Sequence, residues 1–321
     1  MPLGRLAFCL LFIVACGSRT GLWGTDDGDI GGFLPDGGGR RDAGRRDGSV
    51  TDASFPDALP PIDAQPPRDA SRIDCPDAEA TLVYVVTAAN ELYSFFPENG
   101  AFKFISNLAC PAGGATPFSM AVDRRGVAYV QFTDDRLYRV STATGACIGT
   151  AYTPGKQGFG AFGMGYATND VGPTEFLFVA GTRGSNQASS PGLARIDPTT
   201  FALSRIGSFV PDIARAELTG TGDGRLFAFY TKTVDNGPPS FIGEINTTNA
   251  RVIAETPLPT VDQGGGWAFA FWGGDFYMFT SPADSTSAVT RYRPADGSVT
   301  VVATLPSKIV GAGVSTCAPA Q

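Results

Sequence analysis

"LYSFFPENG", residues 92–100, is a short alternating strand followed by four residues of turn chemistry that end on glycine. Four further stretches align with it without gaps: "LYRVSTATG" at 137–145, "LARIDPTTF" at 193–201, "IGEINTTNA" at 242–250 and "VTRYRPADG" at 289–297. The steps between them are 45, 56, 49 and 47 residues. The ninth position holds Gly100, Gly145, Phe201, Ala250 and Gly297. Three glycines there suit a turn that needs a positive φ.

Working outward, a second apolar strand precedes each copy: "LVYVVTA", "VAYVQFT", "FLFVAGT", "LFAFYTK" and "FYMFTSP". Ahead of four of these sits a third strand: "FSMAVD" from 118, "GMGYAT" from 163, "AELTGT" from 216 and "WAFAFW" from 267. The run after each turn supplies the fourth: "FKFIS", "CIGTAY", "LSRIG", "VIAET" and "TVVAT". Four antiparallel strands in every repeat predict an all-β fold, a β-propeller of five four-stranded blades. The first blade lacks its inner strand. "GAGVST" from Gly311 matches the inner strands and has nothing after it. The C-terminal strand is therefore expected to complete the first blade and close the ring, leaving no edge exposed.

Closure bears on the cysteines. Cys317 follows the closing strand and Cys75 precedes the first one, so both fall where the connecting turn is cut. A Cys75–Cys317 bridge would restore that connection covalently. Cys110 and Cys147 form the other expected pair, provided the 109–117 loop folds back. No two cysteines have the CxxC spacing of a zinc site.

From residue 81 onward the chain resembles β-propeller proteins of the quinoprotein-like or SMP-30/NHL-like kind. That resemblance implies architecture and no particular activity, because propellers host lectins, hydrolases, lactonases and scaffolds.

The amino terminus settles the expected location. Arg5 precedes a short apolar run, Leu6 to Ala15, too short to span a bilayer and typical of a secretory signal. Ile13-Val14-Ala15-Cys16 resembles the lipobox of bacterial lipoproteins. The resemblance implies removal of residues 1–15, acylation of Cys16 and anchoring in the outer membrane, on its periplasmic or cell-surface side. Two or three acyl chains make such anchoring stable. Residues 16–74 form the expected tether: the acidic residues there are all Asp and the basic ones all Arg. Asp-Ala recurs at 42, 52, 57, 63 and 69 between Pro60-Pro61 and Pro66-Pro67 and their flanks. Such a segment buries too little apolar surface to offset its chain entropy. As a flexible coil it would span on the order of 40 Å. Residues 75–321 are the propeller, expected to be a monomeric domain.

Composition narrows the function. With 24 Lys+Arg against 31 Asp+Glu the net charge is −7, which disfavours nucleic acid. Histidine is absent, which removes histidine-based triads and histidine metal ligands. No cofactor or metal is expected. The clusters Gly220-Thr221-Gly222-Asp223-Gly224 and Gly264-Gly265-Gly266 precede strands and read as turns, as do Asp123 and Asp223.

The candidate site residues lie on inner strands that line the central channel: Met120, Met164, Arg215, Glu217, Trp267 and Trp272. Glu217 reads as a buried pair with Arg215, as part of a solvated channel wall, or as one of the two carboxylates a glycosidase needs. No second carboxylate matches it. Trp267 and Trp272 read as core aromatics between blades or as a sugar platform. The longest insertions, 181–192 and 231–241, follow second strands and fall on one face of the ring. The sequence therefore points to a tethered binding or scaffold propeller for a protein or glycan, with no catalytic residue assigned. Its alternative is a propeller hydrolase or lactonase with a carboxylate or calcium site in the channel.

Overall fold

A computed structural model describes residues 82–321, apart from 169–173, 185 and 235–236. The signal segment, Cys16, the tether and Cys75 lie outside the described residues.

Five antiparallel sheets of four strands each form the ring. The second blade, the first to be contiguous in sequence, contains β4 (Pro117–Val122), β5 (Val127–Phe132), β6 (Leu137–Ser141) and β7 (Cys147–Gly149). The third contains β8 (Phe162–Thr168), β9 (Glu175–Gly181), β10 (Gly192–Ile196) and β11 (Leu203–Gly207). The fourth contains β12 (Arg215–Gly220), β13 (Leu226–Thr231), β14 (Ser240–Ile245) and β15 (Val252–Leu258). The fifth contains β16 (Gly266–Trp272), β17 (Asp275–Ser281), β18 (Ser287–Arg293) and β19 (Ser298–Leu305). The first blade joins both ends of the domain: β20 (Ile309–Val314) pairs with β1 (Val83–Thr87), followed outward by β2 (Glu91–Phe96) and β3 (Ala101–Asn107). Val83 faces Val314 and Val85 faces Ala312 across that antiparallel join. The C-terminal strand closes the ring as the repeat predicts.

The repeated turn has one geometry in all five blades. The ninth residue has φ of 70° at Gly100, 72° at Gly145, 59° at Phe201, 62° at Ala250 and 72° at Gly297. Each N–H at that position donates to the carbonyl four residues back, over 2.8–2.9 Å. The eighth residue, Asn99, Thr144, Thr200, Asn249 or Asp296, accepts the N–H two residues on. A left-handed conformation costs a non-glycine residue about 1–2 kcal/mol. Ala250 is buried between blades and Phe201 packs against an interblade cluster, which offsets that cost.

Five apolar clusters fill the five interfaces between neighbouring blades. The period of two explains how one strand serves two of them. On β1, Val83 and Val85 face the fifth blade while Tyr84 and Val86 face the second. Inner and second strands are thus apolar on both sides. The outer strands carry the exposed apolar residues Phe104, Ile148, Ile253, Val299 and Val301.

Cys110 and Cys147 are joined by a disulfide, so the loop before β4 does fold back onto β7. Cys317 is also disulfide-bonded.

Candidate functional site

Inner strands run round the axis in the order β20, β4, β8, β12, β16. Glycines let them approach closely: a Cβ on Gly163 of β8 would lie 1.9 Å from the Ala216 carbonyl oxygen and 2.8 Å from the Glu217 Cα. Through this tight contact the Glu217 side chain passes inside β8 and reaches the blade beyond it. The Ser119 hydroxyl of β4 donates to Glu217 Oε2 at 2.8 Å, and the Met164 backbone N–H of β8 also donates to the carboxyl group. Three consecutive blades are tied together on the axis by one side chain.

Glu217 is 1 % exposed. Burial pushes its pKa well above the ordinary carboxylate range, against the smaller opposing effects of Ser119, Met164 and Arg215. Its partner is Ser119 and not Arg215, the pairing suggested by sequence spacing. The two side chains do share a strand side, but Arg215 is turned outward by a different contact. The gap left around the axis, lined by Ala121, Met164, Gly165, Leu218, Thr219 and Ala312, is too narrow to admit a water. Met120 packs into the interface between the first two blades rather than the axis. Glu217 is buried between the inner strands, held by Ser119 and Met164.

Arg215, Trp267 and Phe118 lie at the starts of β12, β16 and β4, at one mouth of the ring of inner strands. The Arg215 guanidinium stacks over the Trp267 ring, 3.4 Å from its centroid. Phe118 meets the same indole edge-on, with centroids 6.3 Å apart and an interplanar angle of 85°. Arg215 Nη2 donates to the Gly264 carbonyl at 3.4 Å. Burial pulls the Arg215 pKa down to about 10, and Glu217 raises it only in part. Buried Arg215 Nε and Trp267 Nε1 have no protein acceptor.

The long loops after β9 and β13 rise on this same face. The first is held by Arg183, whose Nη1 is 3.0 Å from Asp212 Oδ2, and by the Ser190 hydroxyl, which donates to Asp212 Oδ1 at 3.3 Å. Beside the second, Lys232 pairs with Glu255 at 2.7 Å and lies 4.1 Å over the Phe241 ring. Lys308 pairs with Asp284 at 3.0 Å.

The opposite face carries a polar cluster that the sequence did not single out. At the start of β9, Glu175 Oε1 accepts the Arg124 N–H and Oε2 accepts the Thr316 hydroxyl, each at 2.9 Å. The second and third blades and the C-terminal segment meet there. Asp123 folds its own turn, accepting the N–H of Arg125 and of Val127 at 2.9 Å each. Asp223 likewise accepts the Thr221 hydroxyl within its turn. Trp272 ends β16 on this side and packs into the cluster between the fifth and first blades. Five residues of extended strand, on the order of 17 Å, separate it from Trp267. The two indoles belong to different faces. Among the described residues, no group of three or more His, Cys, Asp or Glu side chains could hold a metal ion.

Burial raises Glu175 to a pKa of about 7, from 4.5, with Asp123 adding to the rise. Between those values the folded protein holds a proton that the unfolded chain has released. Stability from this group is full below about pH 4.5 and falls as pH rises to about 7, by about 3 kcal/mol. Glu175→Gln is expected to remove that share of the slope in urea unfolding measured from pH 4.5 to 8. An unchanged slope in the variant would rule out Glu175 as its source.

No family profile matches the chain, and no curated protein matches it. Among solved structures, one similar chain comes from a structure described as "Crystal Structure of Mitotic Checkpoint Complex". It is 12 % identical, with a TM-score of 0.37, over 80 % of this chain and 74 % of that one. Another, "Structure of Dos1 propeller", is 12 % identical, with a TM-score of 0.36, over 65 % of this chain and 52 % of that one. Neither likeness is close enough to bear on function.

Proposed function

We propose that this chain is a lipoprotein, anchored in the outer membrane through Cys16, whose propeller is a binding or scaffold module for a protein or glycan. One observation supports the binding role above others. Glu217, Ser119 and Met164 are hydrogen-bonded across three inner strands with Glu217 buried, while the two long loops and the Arg215–Trp267 mouth share one face of the ring. Loops carried by a rigid scaffold are a common seat of recognition. The lipobox-like Ile13-Val14-Ala15-Cys16 and the Asp/Ala/Pro-rich tether support a module held at a distance from a membrane.

The test is capture from intact cells by crosslinking, with three forms of the full chain. Wild type is expected to partition into detergent, to take up labelled palmitate and to retain a partner. Cys16→Ser is expected to lose the label and the partitioning. Exchange of loop segments 184–189 and 233–238 for short Gly-Ser turns, which keeps Arg183, Ser190 and Lys232, is expected to lose the partner with the fold retained in thermal melting. Palmitate labelling that survives Cys16→Ser overturns the anchor, and capture that survives the loop exchange overturns the binding face.

A further inference from the structure

We propose that the Arg215–Trp267–Phe118 mouth binds the free carboxy terminus of a peptide chain. This rests on the reading of the loop face as a recognition surface and names the chemistry recognised there. Three features of the mouth lead to it.

The first is charge. Arg183, Lys232 and Lys308 on the same face each hold a carboxylate, at 3.0, 2.7 and 3.0 Å. Arg215 has none within contact distance among the described residues, and the one acidic group acting on it, Glu217, is buried and bonded to Ser119. A half-buried guanidinium has lost water without gaining a carboxylate in contact, and a carboxylate fits its planar fork better than any other common anion. Of its five N–H donors, one is used by the Gly264 carbonyl.

The second is depth. The Glu217–Ser119 bond ties the inner strands together two residues further along β12 than Arg215, and the gap between the inner strands lined by Met164, Leu218 and Ala312 has no room for a water. A closed floor admits the end of a chain and leaves no exit for one that threads through. One cation at the mouth, on a protein of net charge −7, suits one terminal carboxylate and disfavours a polyanion.

The third is the wall. Phe118, half-buried beside Trp267, offers apolar surface to the side chain that precedes the carboxylate. A sugar would instead stack on an indole face, and the Arg215 guanidinium already occupies one face of Trp267 at 3.4 Å. This favours a peptide over an acidic glycan.

The experiment titrates the full chain with acetyl-Gly-Gly-Phe bearing a free carboxylate, with the same peptide amidated, and with glucuronate. Calorimetry gives affinity, and the Trp267 indole N–H signal, assigned with Trp267→Phe, reports the site. The free acid is expected to bind about tenfold or more tightly than the amide, with loss of that preference in Arg215→Gln. Thermal melting checks that Arg215→Gln stays folded, and Arg215→Lys, which keeps the charge without the fork, is expected to retain part of the preference. Equal binding of acid and amide, or a preference that persists in Arg215→Gln, overturns the proposal. Glucuronate binding in place of the peptide overturns the choice of a peptide end. These outcomes are separate from partner capture by the loops, which can succeed when the peptide titration fails.

Discussion

Gly163→Ala is expected to destabilise the propeller by about 4 kcal/mol or more, beyond the usual cost of an added core methyl. The new Cβ would sit 1.9 Å from the Ala216 carbonyl oxygen and 2.8 Å from both the Ala216 carbonyl carbon and the Glu217 Cα. All three are backbone atoms of the next inner strand, so no side-chain rotation relieves the overlap. β12 would have to move away from β8, and Glu217 would then be withdrawn from Ser119. A ring closed by β20 cannot take up that movement at an open edge, which spreads the strain over neighbouring interfaces. Gly149→Ala on the outer strand β7 is the matched control, with nothing within 4 Å of its Cβ, and should change stability little. Chemical unfolding of both variants measures the contrast. Equal stabilities would mean that the inner strands are not packed as closely as the structure has them.

Replacing Cys110 and Cys147 together by alanine should cost about 4 kcal/mol in the chain-entropy account, for a bridge between residues 37 apart. Measured bridges often contribute less, so a loss of about 2 kcal/mol is the lower bound expected. The bridge matters locally because β7 has only three residues and three paired positions with β6. Its neighbour Ile148 is 60 % exposed, so little apolar burial holds the strand in place. The double variant should unfold at lower urea and lose protection in β7 first. A non-reduced digest analysed by mass spectrometry should also join the peptides of Cys75 and Cys317, the ring-closing pair proposed from the sequence. Linkage of Cys75 to Cys110 or Cys147 would overturn that pairing.

The architecture was legible because it is written five times. A single "LYSFFPENG" is an ordinary hairpin, and only recurrence at blade-sized steps turns it into a propeller. The ninth position carried the turn conformation at Gly100, Gly145 and Gly297, where glycine is the expected residue for a positive φ. At Phe201 and Ala250 the residue gave no such signal, yet the backbone is the same. Interblade burial overrides the local preference there. The eighth position, always Asn, Thr or Asp, was present in the sequence as a side-chain acceptor for the turn but becomes visible as a device only with its hydrogen bonds.

The site was less legible. Glu217 stands out in the sequence as an acid inside an apolar strand, and spacing suggests Arg215 as its partner. The bond it makes is to Ser119, 98 residues away and two blades over. Glu175 sits at the start of β9 with no pattern around it, and its partners Arg124 and Thr316 come from 51 and 141 residues away.

The sequence by itself determined the blade count, the strand order within each blade and the closing role of the C-terminal strand, because these follow from local alternation and its repetition. It also determined that Arg215 and Glu217 share one side of a strand, which the period of two dictates. The tertiary structure alone decided that Gly163 is a packing contact and not a turn, that the gap between the inner strands has no room for a water, and that Arg215 lies over Trp267. Alternation fixes which side of a strand a residue takes. How closely the next blade approaches, and which distant backbone then comes within reach, is set by the curvature of the closed ring.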